Sequence, residues 1–142
     1  LGVHAIAPVF ADRTEVRLDG ERLDKRMAHW RSVAIAACEQ SGRARIPELR
    51  PACGLADAAA ALDTDMLKLT LDPLGEHRFE TLTKPNGAIA LAIGPEGGWS
   101  QKDRAILSAH GFAGLRLGPR VLRTETAGLA AIAALQARFG DW

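Results

Sequence analysis

The stretch "AIALAIGPEGGWSQKD", residues 88–103, decides how the chain is built. Its first six residues are apolar with no polar alternation, the pattern of a strand covered on both faces, as in a parallel sheet. Gly94-Pro95 ends that run. Ser100 and Asp103 then have capping-box spacing, so a helix is expected to start at Gln101 and stop near Gly111.

The neighbouring segments repeat this grammar. Downstream, "FAGLRLG" (Phe112 to Gly118) reads as the next strand, and a last helix is expected from about Thr124 to Phe139. Upstream, leucines alternate with polar residues in "LKLTLD" (Leu67 to Asp72), as in a strand, and an Ala-rich helix is expected around Ala56 to Leu62. "PLGEHRFETLTKPNG" between them and the opening run reads as a loop closed by the turn signal Asn86-Gly87. Further back, Leu23, Met27, Trp30, Ala34, Ala37 and Cys38 fall at helical steps before the stop signal Gly42, and their stripe is expected to pack on the sheet. Val3 to Phe10 reads as a short buried strand. Strands alternating with helices give an α/β fold with a mainly parallel sheet and helices on both faces.

One internal echo stands out: "LAIGP" at Leu91 to Pro95 and "LRLGP" at Leu115 to Pro119. Open α/β sheets bind ligands beyond the carboxyl ends of their strands, so two such ends in neighbouring strands would place two bends on one rim. The plainer alternative is that Gly-Pro only terminates strands.

With 142 residues, 47% of them hydrophobic, and a net charge of +1, the chain has the composition of one globular domain large enough to bury a core. Such a balance excludes a protein coated in basic residues, so contact with nucleic acid requires a local patch. Between Arg22 and Arg50, the bases Arg22, Lys25, Arg26, Arg31, Arg43, Arg45 and Arg50 outnumber the acids Glu21, Asp24, Glu39 and Glu48. A solvated helix face accounts for such an excess, and with an RNA substrate the same residues become a phosphate track. Cys38 and Cys53 form no Cys-x-x-Cys pair and read as free thiols in a reducing cytoplasm. No apolar run approaches a bilayer span, so a cytoplasmic protein without membrane attachment is expected. The sequence enters a strand-like run almost at once, which implies a preceding segment in the natural protein.

Nucleotide and hydrolase signatures fail. "GPEGGWS" lacks the Gly-Lys-Ser/Thr of a P-loop and the spacing of a dinucleotide fold, and His4, His29, His77 and His110 form no metal-spaced cluster, so no metal is expected. Its glycines allow close backbone approach, while Glu96 disfavours a phosphate guest. A flat heterocycle joined to a cationic centre suits such a loop, and S-adenosyl-L-methionine fits that description. Alternatively, Glu96 faces solvent or favours the following helix N-terminus.

"LGPRVLRTETAGLAAIAALQ" (Leu117 to Gln136) places Arg120 and Arg123 in a tight connection, with Thr124 able to cap the last helix and Glu125 and Thr126 in its first turn. That helix is apolar around much of its circumference, through Leu129, Ala130, Ile132, Ala133, Leu135 and Phe139, and so must be covered on more than one side. A second subunit is a natural cover; a fully internal helix in a monomer is the alternative.

"IAACEQSGRARIPEL", "IGPEGGWS" and "LGPRVLRTETAGLAAIAALQARFGDW" together resemble the bacterial small-subunit (16S) ribosomal RNA (uracil-N3)-methyltransferases of the SPOUT superfamily. The resemblance covers essentially the whole chain and implies that residues 1–142 form a SPOUT methyltransferase domain whose N-terminal PUA-like RNA-binding domain is absent from this sequence. It further implies a deep C-terminal trefoil knot, a homodimer with the C-terminal helix near the interface, and S-adenosyl-L-methionine as methyl donor. By position, the cofactor pocket would comprise Leu69, Leu71, Ile93, Gly94, Pro95, Gly98, Leu117, Gly118, Leu122, Arg123 and Thr126. "LTLDP" departs from the Asn and His expected near that strand, which leaves Thr70 and Asp72 without a family role. For catalysis, Arg120 or Arg123 would stabilise the uridine imide anion, and Glu125 would orient an arginine or relay the proton. Rival readings are a related SPOUT enzyme acting on a ribose 2′-OH or another base, and a non-catalytic RNA-binding assembly module.

Overall fold

The computed structural model describes residues 1–15 and 18–141. Its main sheet has four parallel strands: β5 (Leu67–Leu71), β6 (His77–Arg78), β7 (Ile89–Ala92) and β8 (Ala113–Arg116), in the order β6-β8-β5-β7. Two short parallel ladders join β1 (Ala5–Ile6) to β3 (Glu48–Leu49) and β2 (Val9–Phe10) to β4 (Cys53–Gly54). Four helices complete the chain: α1 (Gly20–Ser41), α2 (Leu55–Ala60), α3 (Gln101–Ala109) and α4 (Thr124–Phe139). The expected α/β class with mainly parallel strands is what the chain adopts.

Several local expectations need correction. Val3 to Phe10 is not one buried strand: β1 is exposed and β2 half-buried. Pro8 lies between them, and a residue without an N–H cannot continue a ladder, so pairing switches from β3 to β4. The α1 stripe covers little of the sheet: Cys38 is buried, Leu23, Met27 and Ala34 are half-buried, and Trp30 and Ala37 are exposed. Gly42 ends α1 as expected, with φ 69°. The loop after β5 contains β6 and a single 3-10 turn, Phe79–Thr81. A two-residue pairing is too short to show a period, which is why it read as loop. Finally, β7 lies at the end of the four-stranded order and is half-buried throughout, not covered on both faces.

The buried residues form two clusters. Leu69, Leu82, Leu115 and Leu135 join β5, β8, the loop and α4; Ala11, Leu55, Trp99 and Leu107 join the N-terminal segment to α2 and α3. Each fully buried leucine contributes about 1.5–3 kcal/mol relative to exposure.

The order of strands has a geometric demand. After β5 the chain skips one strand position to reach β6, and β8 later occupies the gap. The connection crosses β8 where two glycines meet: a Cβ at Gly75 would stand 2.5 Å from the backbone carbon of Gly114. Asp72 N donates to Leu115 O at this crossing (3.1 Å).

Candidate functional site

The two Gly-Pro bends do not sit on neighbouring strands, contrary to expectation, because β7 and β8 flank β5 on opposite sides. All three strands run parallel, so their carboxyl ends still share one rim. There they enclose an open cleft with about 180 Å³ of space for water centres, lined by Leu71 and Asp72 from β5, the Ile93–Glu96 bend, and Leu115–Gly118 from β8.

Each wall has a local cause. Gly98 N donates to Pro95 O (2.8 Å), closing the bend, and Gly98 has φ 67°, a conformation that glycine tolerates. A Cβ at Gly94 would lie 3.2 Å from the Trp99 indole, so the missing side chain lets that ring pack on the bend. Trp99 Nε1 donates to Thr70 Oγ1 (2.7 Å), and both residues are buried. Behind the bend, Ser100 caps α3 through the predicted capping box: Ser100 Oγ accepts from Asp103 N (3.1 Å), and Asp103 Oδ2 accepts from Ser100 N (3.1 Å). Asp103 also accepts from Asp12 N, and Arg13 Nη1 donates to Gly97 O (2.6 Å). The N-terminal segment thus braces the glycine loop from outside.

Of the cofactor residues expected from sequence, Leu71, Ile93, Gly94, Pro95, Gly98, Leu117, Gly118 and Leu122 line the cleft. Leu69 lies one pleat further in and is 1% exposed, a core residue. Arg123 occupies the N-cap position of α4 and Thr126 its first turn; both are exposed and outside the lining. Arg120 lines the cleft, whereas Glu125 is exposed on α4 away from it. Thr124 is the first helical residue, not the cap, and α4 has no side-chain cap.

Glu96, singled out in the glycine loop, also lines the cleft, as does Asp72, to which sequence reading gave no role; Pro73, Trp99, Arg104, Leu115, Arg116, Val121 and Ala127 were missed. Asp72 forms an ion pair with Arg104, and its Oδ1 accepts from Leu74 N (3.0 Å), so the departure at "LTLDP" ties β5 to α3 and starts the crossing loop. Thr70 serves Trp99. These 2 residues therefore have structural partners in this chain.

Gly118 has a different status. A Cβ there would meet nothing within 4 Å, and its φ is not positive, so nothing within the chain requires glycine. Gly118 lines the cleft, where a side chain would meet open space.

The family model for the RNA methyltransferase domain matches residues 1–136. The chain belongs to this RNA methyltransferase family. Among similar members is ribosomal RNA small subunit methyltransferase E of Buchnera aphidicola subsp. Schizaphis graminum, 34% identical over 99% of this chain and 57% of that protein. The structure of the enzyme of that name from Neisseria gonorrhoeae, described as bound to S-adenosyl methionine, aligns with a TM-score of 0.92 at 44% identity, over 96% of this chain and 57% of that one. A Legionella pneumophila methyltransferase described as a complex with SAM gives 0.93 at 43% identity, over 99% and 58%. The chain thus spans a little over half the length of these methyltransferases.

Proposed function

We propose that this chain binds S-adenosyl-L-methionine in the cleft and methylates N3 of a uridine in small-subunit ribosomal RNA. The observation that carries the reading is the convergence of three strand ends on one cleft lined by the Gly94-Pro95 bend and by Gly118, the glycine of the second Gly-Pro pair. The lining fits the donor chemically. Leu71, Ile93, Pro95, Leu117 and Leu122 offer apolar surface to an adenine, and the carboxylate of Glu96, which forms no ion pair among the described residues, suits the donor's cationic end, while Asp72 is paired with Arg104. Bound there, the donor supplies an electrophilic methyl group on a sulfonium.

The chain's own residues manage the uridine. Its imide N3 must lose a proton so that the nitrogen electron pair can take the methyl group. Arg120 stabilises the resulting anion, a role its position in the lining supports; Arg123 and Glu125, outside it, act from the start of α4. Glu125 orients one of these arginines or relays the proton. Activity on a uridine is tested by mass spectrometry of ribosomal nucleosides from a strain lacking the gene. Loss of 3-methyluridine supports the assignment, and loss of a 2′-O-methyl nucleoside overturns it.

The same reading includes a homodimer with α4 near its interface, a threaded C-terminal segment and a cytoplasmic place of work, where ribosomal RNA is found. Leu129, 60% exposed on α4, supports the first, and the crossing of β8 by the Gly75 loop supports the second. The described helices include none long and apolar enough to cross a membrane.

A further inference from the structure

A second concavity lies apart from the cleft and shares no residue with it. His4, Arg43, Ala44, Arg45 and Ile46 line a pocket with about 350 Å³ of space for water centres. It gathers part of the basic excess that the sequence shows between Arg22 and Arg50, and adds a histidine 39 residues away from Arg43. No acid lines it, and among the described residues none of its three basic side chains forms an ion pair.

The pocket is held in shape by the backbone. Gly42 turns the chain out of α1, Arg43 N donates to Cys38 O (2.9 Å), and Cys38 Sγ donates to Arg45 O (3.5 Å). Arg43 Nη2 donates to Gly2 O (3.3 Å), which anchors one guanidinium against the N-terminal segment and leaves its other donors free of described protein partners. Ile46, 50% exposed, adds an apolar wall. One anchored guanidinium, a second exposed one and an apolar surface beside them match a phosphodiester with its sugar or base laid alongside.

We propose that this pocket binds a backbone phosphate of the RNA substrate, remote from the nucleotide being methylated. The proposal rests on the reading of the chain as an RNA methyltransferase and adds a contact surface to it. His4 lies nine positions before Arg13, which braces the glycine loop of the cleft, so the two sites lie within about 30 Å of each other along that segment. A contact at that distance would fix the register of the RNA on the domain without reading its sequence.

Binding of a fluorescent single-stranded ribosomal RNA fragment, followed by anisotropy from low to high salt, tests this. Arg43→Gln with Arg45→Gln is expected to weaken binding equally for unrelated RNA sequences. It should flatten the slope of log affinity against log salt by about 0.7, the share of one single-strand phosphate contact. Arg45→Gln alone, which removes no described side-chain bond, should give half that change, and Arg45→Lys should restore the slope. Calorimetry with S-adenosyl-L-methionine should give the wild-type affinity in every variant. Unchanged RNA affinity and slope in the double variant overturn the proposal. So does a wild-type chain that binds the donor but no RNA. Failure of the wild type to bind the donor overturns the methyltransferase reading instead.

Discussion

Gly118 and Trp99 show how differently single residues of the cleft are determined. A methyl group at Gly118 meets nothing in the protein, so Gly118→Ala should leave stability within about 0.5 kcal/mol of wild type. The same methyl group should reduce donor affinity tenfold or more, about 1.4 kcal/mol, measured by calorimetry. Trp99 is fixed by the fold itself. Trp99→Phe leaves the buried Thr70 hydroxyl without its donor and should cost about 1–3 kcal/mol in urea unfolding; Thr70→Val in the same chain should recover part of that loss. At this scale the sequence was legible where backbone conformation carries the message. Gly94 and Gly118 were found because glycines beside prolines at strand ends announce bends, and Gly98 because it stands in the same glycine-rich loop. Asp72 and Arg104 were not, because partners 32 positions apart leave no mark in a local pattern.

At the scale of elements, α3 was the most legible, since its cap is written in neighbouring residues. The structure adds that Asp103 also holds Asp12, so one buried carboxylate ties helix, glycine loop and N-terminal segment together. Asp103→Ala should therefore cost about 2 kcal/mol or more by urea unfolding, beyond an ordinary cap, and Asp103→Asn, which keeps one acceptor oxygen, should cost less. The crossing over β8 was illegible: β6 is two residues long, and the Gly75 to Gly114 approach joins segments with no shared periodicity. Because backbone cannot yield as a side-chain tip can, Gly75→Ala should destabilise the chain by about 2–3 kcal/mol, read as a lowered denaturant midpoint.

For the whole molecule, the alternation of strands and helices gave the class, while strand order and the fate of the apolar helix faces depend on contacts that no window of sequence contains. Leu129, 60% exposed on α4, is the point where the proposed dimer is open to test. Leu129→Lys should shift the mass from dimer to monomer in light scattering while the isolated fold persists, since the side chain touches little within its own subunit. The position of β8 between β5 and β6 has a temporal consequence. A nascent chain leaving the ribosome offers β5 an unpaired edge for the time taken to make about 42 further residues, and neither pairing of β8 can form before then. The cleft also draws on Ala127 in the first turn of α4, so a chain that stopped short of the last helix would reach its final length with one wall of the cleft missing.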